Sequence, residues 1–285
     1  METKKSSSLM SNWTSKILGA KFSYKLRYYH QRKKWPNLRR PKDISEILIS
    51  SLFSDDCLQY VPYVDKVKVR DYIKEKGLQS ILLKHYGVWK DPDQIDFSKL
   101  PDKFILKANN GCGHHVICKD KSKLDYDNAK QILKNNLKEG EESVEPHYRA
   151  IEPLVFCEEL IDTGTDDWPT DYKFTCINGE VCDIFVATDR SVSTRYITLN
   201  ENWEPLPYTK QEYLPKKMPP KPEHLKEMIE MAKVLSKDFK FVRVDFYEHQ
   251  GKILFSELTF YPWGALMYSY TDEAIKLYGD KYYKK

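Results

Sequence analysis

The chain has 285 residues, of which 41% are apolar and 31% charged, so it can bury one sizeable core or two modest ones without help from disulfides. It contains no apolar stretch near the roughly 18 to 20 residues that a transmembrane helix needs, and its first residues lack the apolar core of a signal peptide. Its six cysteines show no Cys-x-x-Cys pairing, so we expect a protein of the reducing cytoplasm.

The positive charge is concentrated at the start of the chain. Residues 1–42 contain twelve Lys or Arg and one acidic residue, Glu2, whereas the remainder has 34 basic and 41 acidic residues. A basic leader on an acidic body favours an anionic partner such as an acidic polymer, a membrane surface or nucleic acid. The alternative is that these residues face solvent or pair with the acidic body.

Three segments have helical signals. Apolar residues recur at helical spacing among basic ones from Trp13 to Arg32, which predicts one or two basic amphipathic helices. Asp65 can cap a helix that ends at Gly77, and Pro222 opens another that continues to Leu235. Strands are predicted at 104–107, 116–119, 154–161, 172–177, 182–188, 241–247 and 252–259. The interleaving of helices and hairpins predicts an α+β fold rather than a regular parallel array.

A glycine loop follows the first of these strands. Lys107 precedes the segment Asn109–Gly113, in which Gly111 and Gly113 permit close backbone approach to a ligand. Successive loop N–H groups with one lysine can bind an anion, although a plain hairpin has the same pattern. Cys112 and the adjacent histidines lack further ligands at zinc-like spacing, so we do not predict a zinc site.

The next strand ends at two acidic residues, Glu158 and Glu159. A strand end of this kind can offer backbone groups to an adenine edge and a carboxylate to its amine, and the alternative is a strand with a polar end. Asp171, Lys173 and Thr175 alternate on one face of a further strand.

A hairpin near the end of the chain carries more acidic residues. We predict a three-residue loop at 249–251, which places Arg243 opposite Glu257 and Asp245 diagonal to Glu257, about 7–8 Å away or less. Two carboxylates this close repel each other unless a cation joins them, and hard oxygen ligands with a nearby hydroxyl suit Mg²⁺. The alternative is an ordinary Arg–Glu pair beside a solvated Asp245.

The order of these segments resembles the ATP-grasp superfamily, and within it the TupA-like branch from bacterial surface-polysaccharide gene clusters. The resemblance covers about residues 35–265 and runs through the motifs at 65–73, 100–111, 158–161, 171–174, 242–247 and 256–262. It implies an α+β ATP-grasp fold in which two subdomains grip ATP, preceded by a basic helical segment. The implied domains are 1–60, the basic helical segment; 61–105, the N-terminal part of the core; 106–160, the glycine-loop subdomain; and 161–285, the C-terminal subdomain with the Mg²⁺ site.

The resemblance also implies roles for individual residues. Residues implied to bind ATP are Lys66, Lys107, Asn109, Gly111, Cys112, Gly113, Glu158, Glu159, Leu160, Ile161 and Asp171, with Lys68 a weaker alternative to Lys66. Asp245, Glu257 and Thr259 correspond to the metal ligands, and Arg243, Lys173 and Arg195 to catalytic positions.

One departure is that Thr259 replaces the Asn of the usual Glu-x-Asn motif, which favours one metal over two. A second departure is the insertion at 162–170, which separates the segment implied to bind adenine from Asp171, the residue implied to bind the ribose.

The implied activity is an ATP- and Mg²⁺-dependent carboxylate–amine ligase that acts through an acyl-phosphate. The implied partners are an acidic sugar of a capsular polysaccharide or lipopolysaccharide and an amine or amino acid, with possible contact between residues 1–42 and the inner membrane face. Three alternatives remain: a glycosyltransferase-pathway enzyme, a sugar kinase, and a catalytically inactive nucleotide- or glycan-binding protein.

We expect no nucleic-acid partner, because no recognition motif accompanies the basic charge. Trp168 and the loop that begins at Tyr261 are candidates for a sugar-stacking surface.

Overall fold

The computed structural model describes residues 19–111, 113, 115–164, 169–188 and 194–284. The helices are α1 (Ala20–Arg32), α2 (Ile44–Leu52), α3 (Val61–Val64), α4 (Val69–Glu75), α5 (Tyr126–Glu141), α6 (Pro146–Arg149), α7 (Leu225–Ser236) and α8 (Asp272–Tyr283). The strands are β1 (His85–Trp89), β2 (Phe104–Ala108), β3 (Val116–Cys118), β4 (Val155–Glu158), β5 (Asp171–Ile177), β6 (Glu180–Thr188), β7 (Arg195–Leu199), β8 (Phe241–His249) and β9 (Lys252–Thr259).

The strands form two antiparallel sheets with separate apolar cores. A four-stranded sheet has the order β1–β4–β2–β3, and a five-stranded sheet has the order β7–β6–β5–β8–β9. The smaller core lies where α5 packs its Ala129 and Leu133 against Phe104 and Val155 of the first sheet. The larger core surrounds the second sheet and includes side chains from α2, α7 and α8. These two helix-backed sheets confirm the α+β prediction.

Local side-chain caps explain where several helices begin. The Asp43 carboxylate accepts a hydrogen bond from the Glu46 N–H at the start of α2, and Asp125 does the same for Asn128 at the start of α5. Thr271 caps α8 in the same way. Asp65 accepts from the N–H groups of Val67 and Lys68, so it orders the turn before α4. The helix itself begins at Val69 with Lys68 at its N-cap, so the predicted capping by Asp65 is wrong.

The β8–β9 hairpin forms where the sequence predicts it, but its predicted register is wrong. The loop has two residues, because His249 pairs with Lys252, and the φ angles of Gln250 and Gly251 are 49° and 70°. Two successive positive φ values are typical of the tight hairpin turn whose twist matches that of the strands. The register then shifts once more, between Asp245 and Phe246.

The shift in register changes which side chains face one another. Asp245 lies directly opposite Glu257, and Arg243 lies opposite Thr259. The predicted arrangement, with Arg243 opposite Glu257, is therefore corrected. The two carboxylates are nearest cross-strand neighbours rather than diagonal ones, which brings them closer than predicted.

Helix α1 is held against the C-terminal part of the chain by buried polar contacts. The Arg32 guanidinium donates to the backbone carbonyls of Met267 and Tyr270 and to the Asp272 carboxylate, each at 2.7 Å. Tyr28 donates to Asp43 at 2.5 Å. This helix is the described part of the predicted Trp13–Arg32 segment, and residues 13–18 lie outside the described residues. None of the described helices combines the length and the hydropathy needed to cross a bilayer.

The predicted domain boundaries are not tested by this arrangement and remain predictions. Strand β2 lies across the boundary at 105/106, since it continues to Ala108 within one sheet. The four-stranded sheet ends at Glu158, close to the predicted boundary at 160/161.

Candidate functional site

A cleft lies between the two sheets and draws its walls from both. Its open volume is about 670 Å³. The four-stranded sheet and the loop between β2 and β3 contribute Lys107, His115, Phe156 and Glu158, and the five-stranded sheet contributes Asp171, Tyr247, Phe255, Ser256 and Glu257. The chain at 66–83 contributes Lys66, Arg70, Leu82 and Leu83. The lysines predicted near the glycine loop and Glu257 of the late hairpin thus face one shared space.

A second pocket of about 600 Å³ adjoins the first and is more apolar. The two share Leu83, Lys107, Glu158 and Tyr247, so they form one continuous cleft. The remaining walls of this pocket are Ile105, Ile117, Lys119, Glu159, Leu160, Ile161, Asp162, Thr163 and Pro169. Aliphatic walls next to the backbone of a strand end suit a flat, mostly apolar group with polar edges.

Lys107 and Glu158 form a partly buried ion pair where the two pockets meet. The strands β2 and β4 place them there, and the Lys107 ammonium donates to Glu158 Oε1. Burial alone would raise the pKa of Glu158, but the Lys107 ammonium and the nearby His85 imidazole lower it to about 2. Glu158 therefore stays ionised, and Lys107 holds a positive charge at the junction of the two pockets.

The glycine loop lies next to Lys66. The Lys66 ammonium donates to the Gly111 carbonyl at 2.6 Å, and the backbone N–H of Lys66 donates to the Asn109 carbonyl at 3.4 Å. Gly113 has a φ of 80°, a conformation that favours glycine. Cys112 lies outside the described residues. Lys66 lines the cleft, and these two contacts hold the loop next to it.

Asn109 has a structural position instead of one that faces the cleft. Its side-chain amide donates to the Glu152 carbonyl at 3.0 Å, and its side-chain oxygen accepts from the Leu154 N–H at 2.8 Å. The side chain is fully buried and ties the start of the loop to the chain before β4. The structure thus shows Asn109 fixing the loop, and its predicted ATP contact remains a prediction.

The hairpin carries a hydrogen-bonded cluster centred on Arg243. Its Nε and Nη2 atoms donate to the two oxygens of Asp245, each at 2.7 Å. Nη2 also donates to Glu257 and to the Thr259 hydroxyl, each at 3.2 Å. The Thr259 hydroxyl donates to Glu257 at 3.0 Å. Burial disfavours the guanidinium charge, but Asp245 outweighs this effect and raises the pKa of Arg243.

Lys173 joins this cluster to Asp171. Its ammonium lies 2.5 Å from a carboxylate oxygen of Asp171 and 2.5 Å from one of Asp245. The cluster of Asp171, Lys173, Asp245, Arg243 and Glu257 contains three acidic and two basic groups, so its formal net charge is −1. Burial raises the pKa of Asp245, an effect that Arg243 and Lys173 oppose.

The carboxylates differ in how far they reach the cleft. The side chain of Glu257 is 33% exposed and lines the cleft, whereas that of Asp245 is fully buried behind Arg243 and Lys173. Burial raises the pKa of Glu257, but Arg243, Lys173 and Lys66 together lower it below its ordinary value. Glu257 therefore presents an ionised oxygen ligand to the cleft.

The oxygen ligands of this cluster fit Mg²⁺. Within the described ranges, no group of three or more His, Cys, Asp or Glu residues is arranged to hold a metal ion. Mg²⁺, however, is commonly bound by one or two carboxylates plus water and substrate phosphates. Glu257 offers such an oxygen to the cleft, whereas Asp245 and Thr259 could add theirs only by exchanging contacts that they now make with Arg243 or Lys173. The net negative charge of the cluster favours a cation.

Arg195 lies away from the cleft. It begins β7 at the far edge of the five-stranded sheet, and its guanidinium donates to the Glu212 carbonyl at 2.5 Å. It is not among the residues that line either pocket. The structure brings Arg243 and Lys173 into one cluster and leaves Arg195 outside it.

Sequence reasoning missed several residues that line the cleft. Arg70 follows Lys66 by one helical turn, a spacing that could have signalled a second cation on the same face. His115 also lines the cleft, and its burial and the charges of Lys107 and Lys66 lower its pKa to about 4. Tyr247 follows Asp245 by two residues, so strand alternation could have placed it on the same face.

Comparison with protein-family models gives a match over most of the chain. The family model described as TupA-like ATPgrasp matches residues 46–283. No curated protein matches the chain.

The solved structures that match the chain are distant in sequence. The ATP-grasp ligase PsnB complexed with minimal precursor is 14% identical with a TM-score of 0.40, and the match covers 76% of this chain and 59% of that one. D-alanine–D-alanine ligase from Bacillus anthracis complexed with ATP is 15% identical with a TM-score of 0.43, covering 71% and 56%. The ADP complex of PurK, an N5-carboxyaminoimidazole ribonucleotide synthetase, is 13% identical with a TM-score of 0.45, covering 71% and 46%. The match thus spans less than two thirds of the length of each of these proteins.

Proposed function

The chain belongs to the TupA-like ATP-grasp family, and we propose that it is an ATP- and Mg²⁺-dependent ligase that joins a carboxylate to an amine. The reaction that we propose has two steps. A carboxylate oxygen of the acceptor takes the γ-phosphoryl group of ATP, which yields an acyl-phosphate and ADP. The amine then attacks the acyl carbon, loses a proton and displaces phosphate, so that the products are an amide, ADP and phosphate.

One observation carries this proposal: cations of the glycine-loop side and carboxylates of the hairpin side line the same cleft. Lys66 and Lys107 lie on one wall, and Asp171 and Glu257 lie on the other. A triphosphate needs cations along its length, and the metal that accompanies it needs carboxylate oxygens nearby. The cleft offers both within one space, which supports a nucleotide as its ligand.

The adjoining apolar pocket is the place that we propose for adenine. Leu83, Ile105, Ile117 and Leu160 would contact the two faces of the ring, and the chain from 158 to 161 would meet its polar edge. Lys107 lies where this pocket opens into the polar part of the cleft, as expected for a residue that binds the α- and β-phosphates. Lys66 and the loop at Gly111 and Gly113 would then bind the γ-phosphate through ammonium and backbone N–H groups.

The hairpin cluster would stabilise the transferred phosphoryl group. Glu257 and Asp245, with Thr259, are the residues that would hold Mg²⁺, which when bound neutralises charge on the phosphate oxygens. Arg243 is kept charged by Asp245 and lies beside Glu257, so it can offset the negative charge that develops during transfer. Lys173 bridges Asp171 and Asp245 and would exchange part of that contact for a phosphate oxygen.

The class of acceptor that we propose follows from the family rather than from the cleft. The resemblance to the TupA-like branch supports an acidic sugar, such as a hexuronate of a capsule or lipopolysaccharide, and an amine or amino acid as its partner. A cytoplasmic location at the inner membrane face belongs to the same proposal, since residues 1–42 are strongly basic.

The test is ADP release measured against a panel of uronic acids crossed with a panel of amines. We expect release of both ADP and phosphate that requires Mg²⁺, one acid and one amine together, with an amide product visible by mass spectrometry. ADP release that needs the sugar but not the amine, without free phosphate, would indicate a kinase instead. UDP or GDP release from a sugar nucleotide, with ATP left intact, would indicate a glycosyltransferase.

A further inference from the structure

The surface of α1 and the chain that follows it has an unusual charge distribution. Residues 19–42 contain nine Lys or Arg and no Asp or Glu. The exposed cations of this stretch are Lys21, Lys33, Lys34, Arg39, Arg40 and Lys42. Ion pairs are found for two members of the stretch within the described residues: buried Arg32 with Asp272, and Lys34 with Asp43 and Asp272. Most of this positive charge is therefore free to meet an anionic partner.

Three aromatic side chains lie exposed within this positive surface, and one of them, Trp35, lies next to the other two. Phe22, Tyr29 and Trp35 are 43%, 37% and 56% exposed. The Trp35 ring stacks on Tyr29 with a centroid separation of 4.8 Å and lies 6.4 Å from Phe22. Phe22 and Tyr29 are separated by seven residues, so they share the outer face of α1. We call this set, with the exposed cations, the aromatic–basic face.

The aromatic–basic face is rigidly attached to the rest of the protein. On the opposite side of α1, Tyr24, Tyr28 and Arg32 are buried, and Arg32 is hydrogen-bonded to the chain at 267–272. That segment follows β9, which carries Glu257. A ligand bound to the aromatic–basic face would therefore hold the cleft at a fixed orientation relative to that ligand.

We infer that the aromatic–basic face docks this protein onto a bilayer that contains anionic phospholipids. Lys and Arg near such a surface lower the binding free energy, and exposed Trp, Tyr and Phe rings insert at the headgroup level. Phe22 has no polar atom, so its exposed ring is stabilised by an apolar phase, which a bilayer supplies and a soluble polyanion does not. Residues 43–285 carry seven more acidic than basic residues, and this excess keeps other surfaces away from the lipid. This inference rests on the membrane location in the proposed function. It does not depend on the proposed ligase chemistry.

The experiment is flotation of the full chain with phosphatidylcholine vesicles that contain or lack phosphatidylglycerol, in the absence of ATP and acceptors. We expect binding only to the anionic vesicles and a loss of binding as salt is raised. The double variant Lys33→Glu/Lys34→Glu should weaken binding by more than about tenfold, since each surface cation contributes about fivefold. Phe22→Ala/Trp35→Ala should weaken it by about tenfold, because both rings leave the interface.

Matched controls lie elsewhere on the surface. Lys216 and Lys217 are exposed, and Leu58 and Met218 are exposed to a similar degree as Phe22. Lys216→Glu/Lys217→Glu and Leu58→Ala/Met218→Ala should therefore bind vesicles like the unaltered chain. All four variants should keep their nucleotide turnover in solution, so a failed ligase assay and a failed docking assay are separate results.

Three outcomes would overturn the docking inference. One is equal binding to neutral and anionic vesicles. Another is equal loss of binding in the control pairs and in the aromatic–basic face variants. The third is an absence of vesicle binding together with tight binding of an acidic polysaccharide or of nucleic acid that the Lys33/Lys34 variant abolishes. Deletion of residues 1–42 is a poorer test, because it would remove the buried contacts of Arg32 and Tyr28.

Discussion

Asp245 and Glu257 face each other directly across β8 and β9, and Nη2 of Arg243 donates to both, at 2.7 Å and 3.2 Å. Only Glu257 lines the cleft, whereas Asp245 is enclosed by Arg243 and Lys173. The two carboxylates therefore differ in what their loss should do. Loss of Glu257 should affect metal binding more than folding, and loss of Asp245 should affect both.

Glu257→Gln tests the metal site with little effect on the fold. We expect Mg²⁺-dependent ADP release to fall by about a hundredfold or more, because the amide is a poor ligand for Mg²⁺ and cannot offset its charge. The free energy of unfolding should change by no more than about 1 kcal/mol, since the side chain is partly exposed. ADP release measured against Mg²⁺ concentration, together with urea denaturation, checks both expectations.

A control for the loss of one carboxylate is Glu139→Gln on the exposed side of α5. It should leave both measurements unchanged. If Glu257→Gln keeps the Mg²⁺ dependence of the unaltered chain, Glu257 does not bind the metal.

Asp245→Asn should destabilise the protein as well as inactivate it. The carboxylate accepts from Arg243 and Lys173 in a fully buried site, so its neutralisation leaves two buried cations without their main partner. We expect a loss of about 3 kcal/mol in the free energy of unfolding. Urea denaturation is the measurement, and the double variant Lys173→Met/Asp245→Asn should recover part of the loss, because one unpaired cation is removed with it. An unchanged unfolding midpoint in the single variant would mean that the cluster contributes nothing to stability.

The late hairpin shows what the sequence could and could not predict. Strand alternation correctly predicted that Arg243 and Asp245 share a face, because side-chain direction along a strand follows from the backbone alone. The register was wrong because Gln250 adopts a positive φ, which shortens the loop by one residue, and because an irregularity follows Asp245. Both depend on small conformational energies that residue types do not determine.

The cleft itself was predictable only in part. Lys107 and Glu158 were identified from their positions next to a glycine loop and at a strand end, and both line the cleft. His115 and Arg70 were missed because their approach depends on how two sheets and a helix pack together. Arg195 was proposed as a catalytic candidate from the resemblance, whereas its guanidinium hydrogen-bonds to a backbone carbonyl outside the cleft.

Lys107→Ala should weaken nucleotide binding selectively. The ammonium lies where the two pockets meet, so its loss removes a charge-assisted contact to phosphate, and we expect ATP affinity to fall by about 10- to 100-fold. Affinity for the acceptor carboxylate should change much less. Titration calorimetry with each ligand measures both, with Lys99→Ala, an exposed lysine outside the cleft, as the control. A larger loss for the acceptor than for ATP would mean that Lys107 faces a different ligand.

Lys173→Ala and Arg195→Ala should differ sharply in turnover. Lys173 contacts Asp171 and Asp245 within the cluster, so its loss should lower kcat by about a hundredfold or more. Arg195 donates to the Glu212 carbonyl at the sheet edge, so its loss should leave kcat within about twofold, apart from a small loss of stability. Steady-state ADP release by the two purified variants is the comparison. Equal inactivation would show that Arg195 reaches the reacting groups in the working enzyme.

The Lys107–Glu158 pair gives a prediction for stability against pH. Glu158 has a pKa of about 2 in the folded protein against an ordinary value of 4.5, so the folded state binds this proton more weakly than the unfolded state. Its contribution, about 3 kcal/mol, is fully present above the unfolded pKa and is lost as pH falls towards the folded one. Glu158→Gln cannot ionise, so the unaltered chain should be more stable than this variant at neutral pH, and the difference should shrink as the pH falls from about 6 to about 3. Urea denaturation of both proteins across that range is the measurement. A difference that stays constant with pH would show that Glu158 is not held ionised by Lys107.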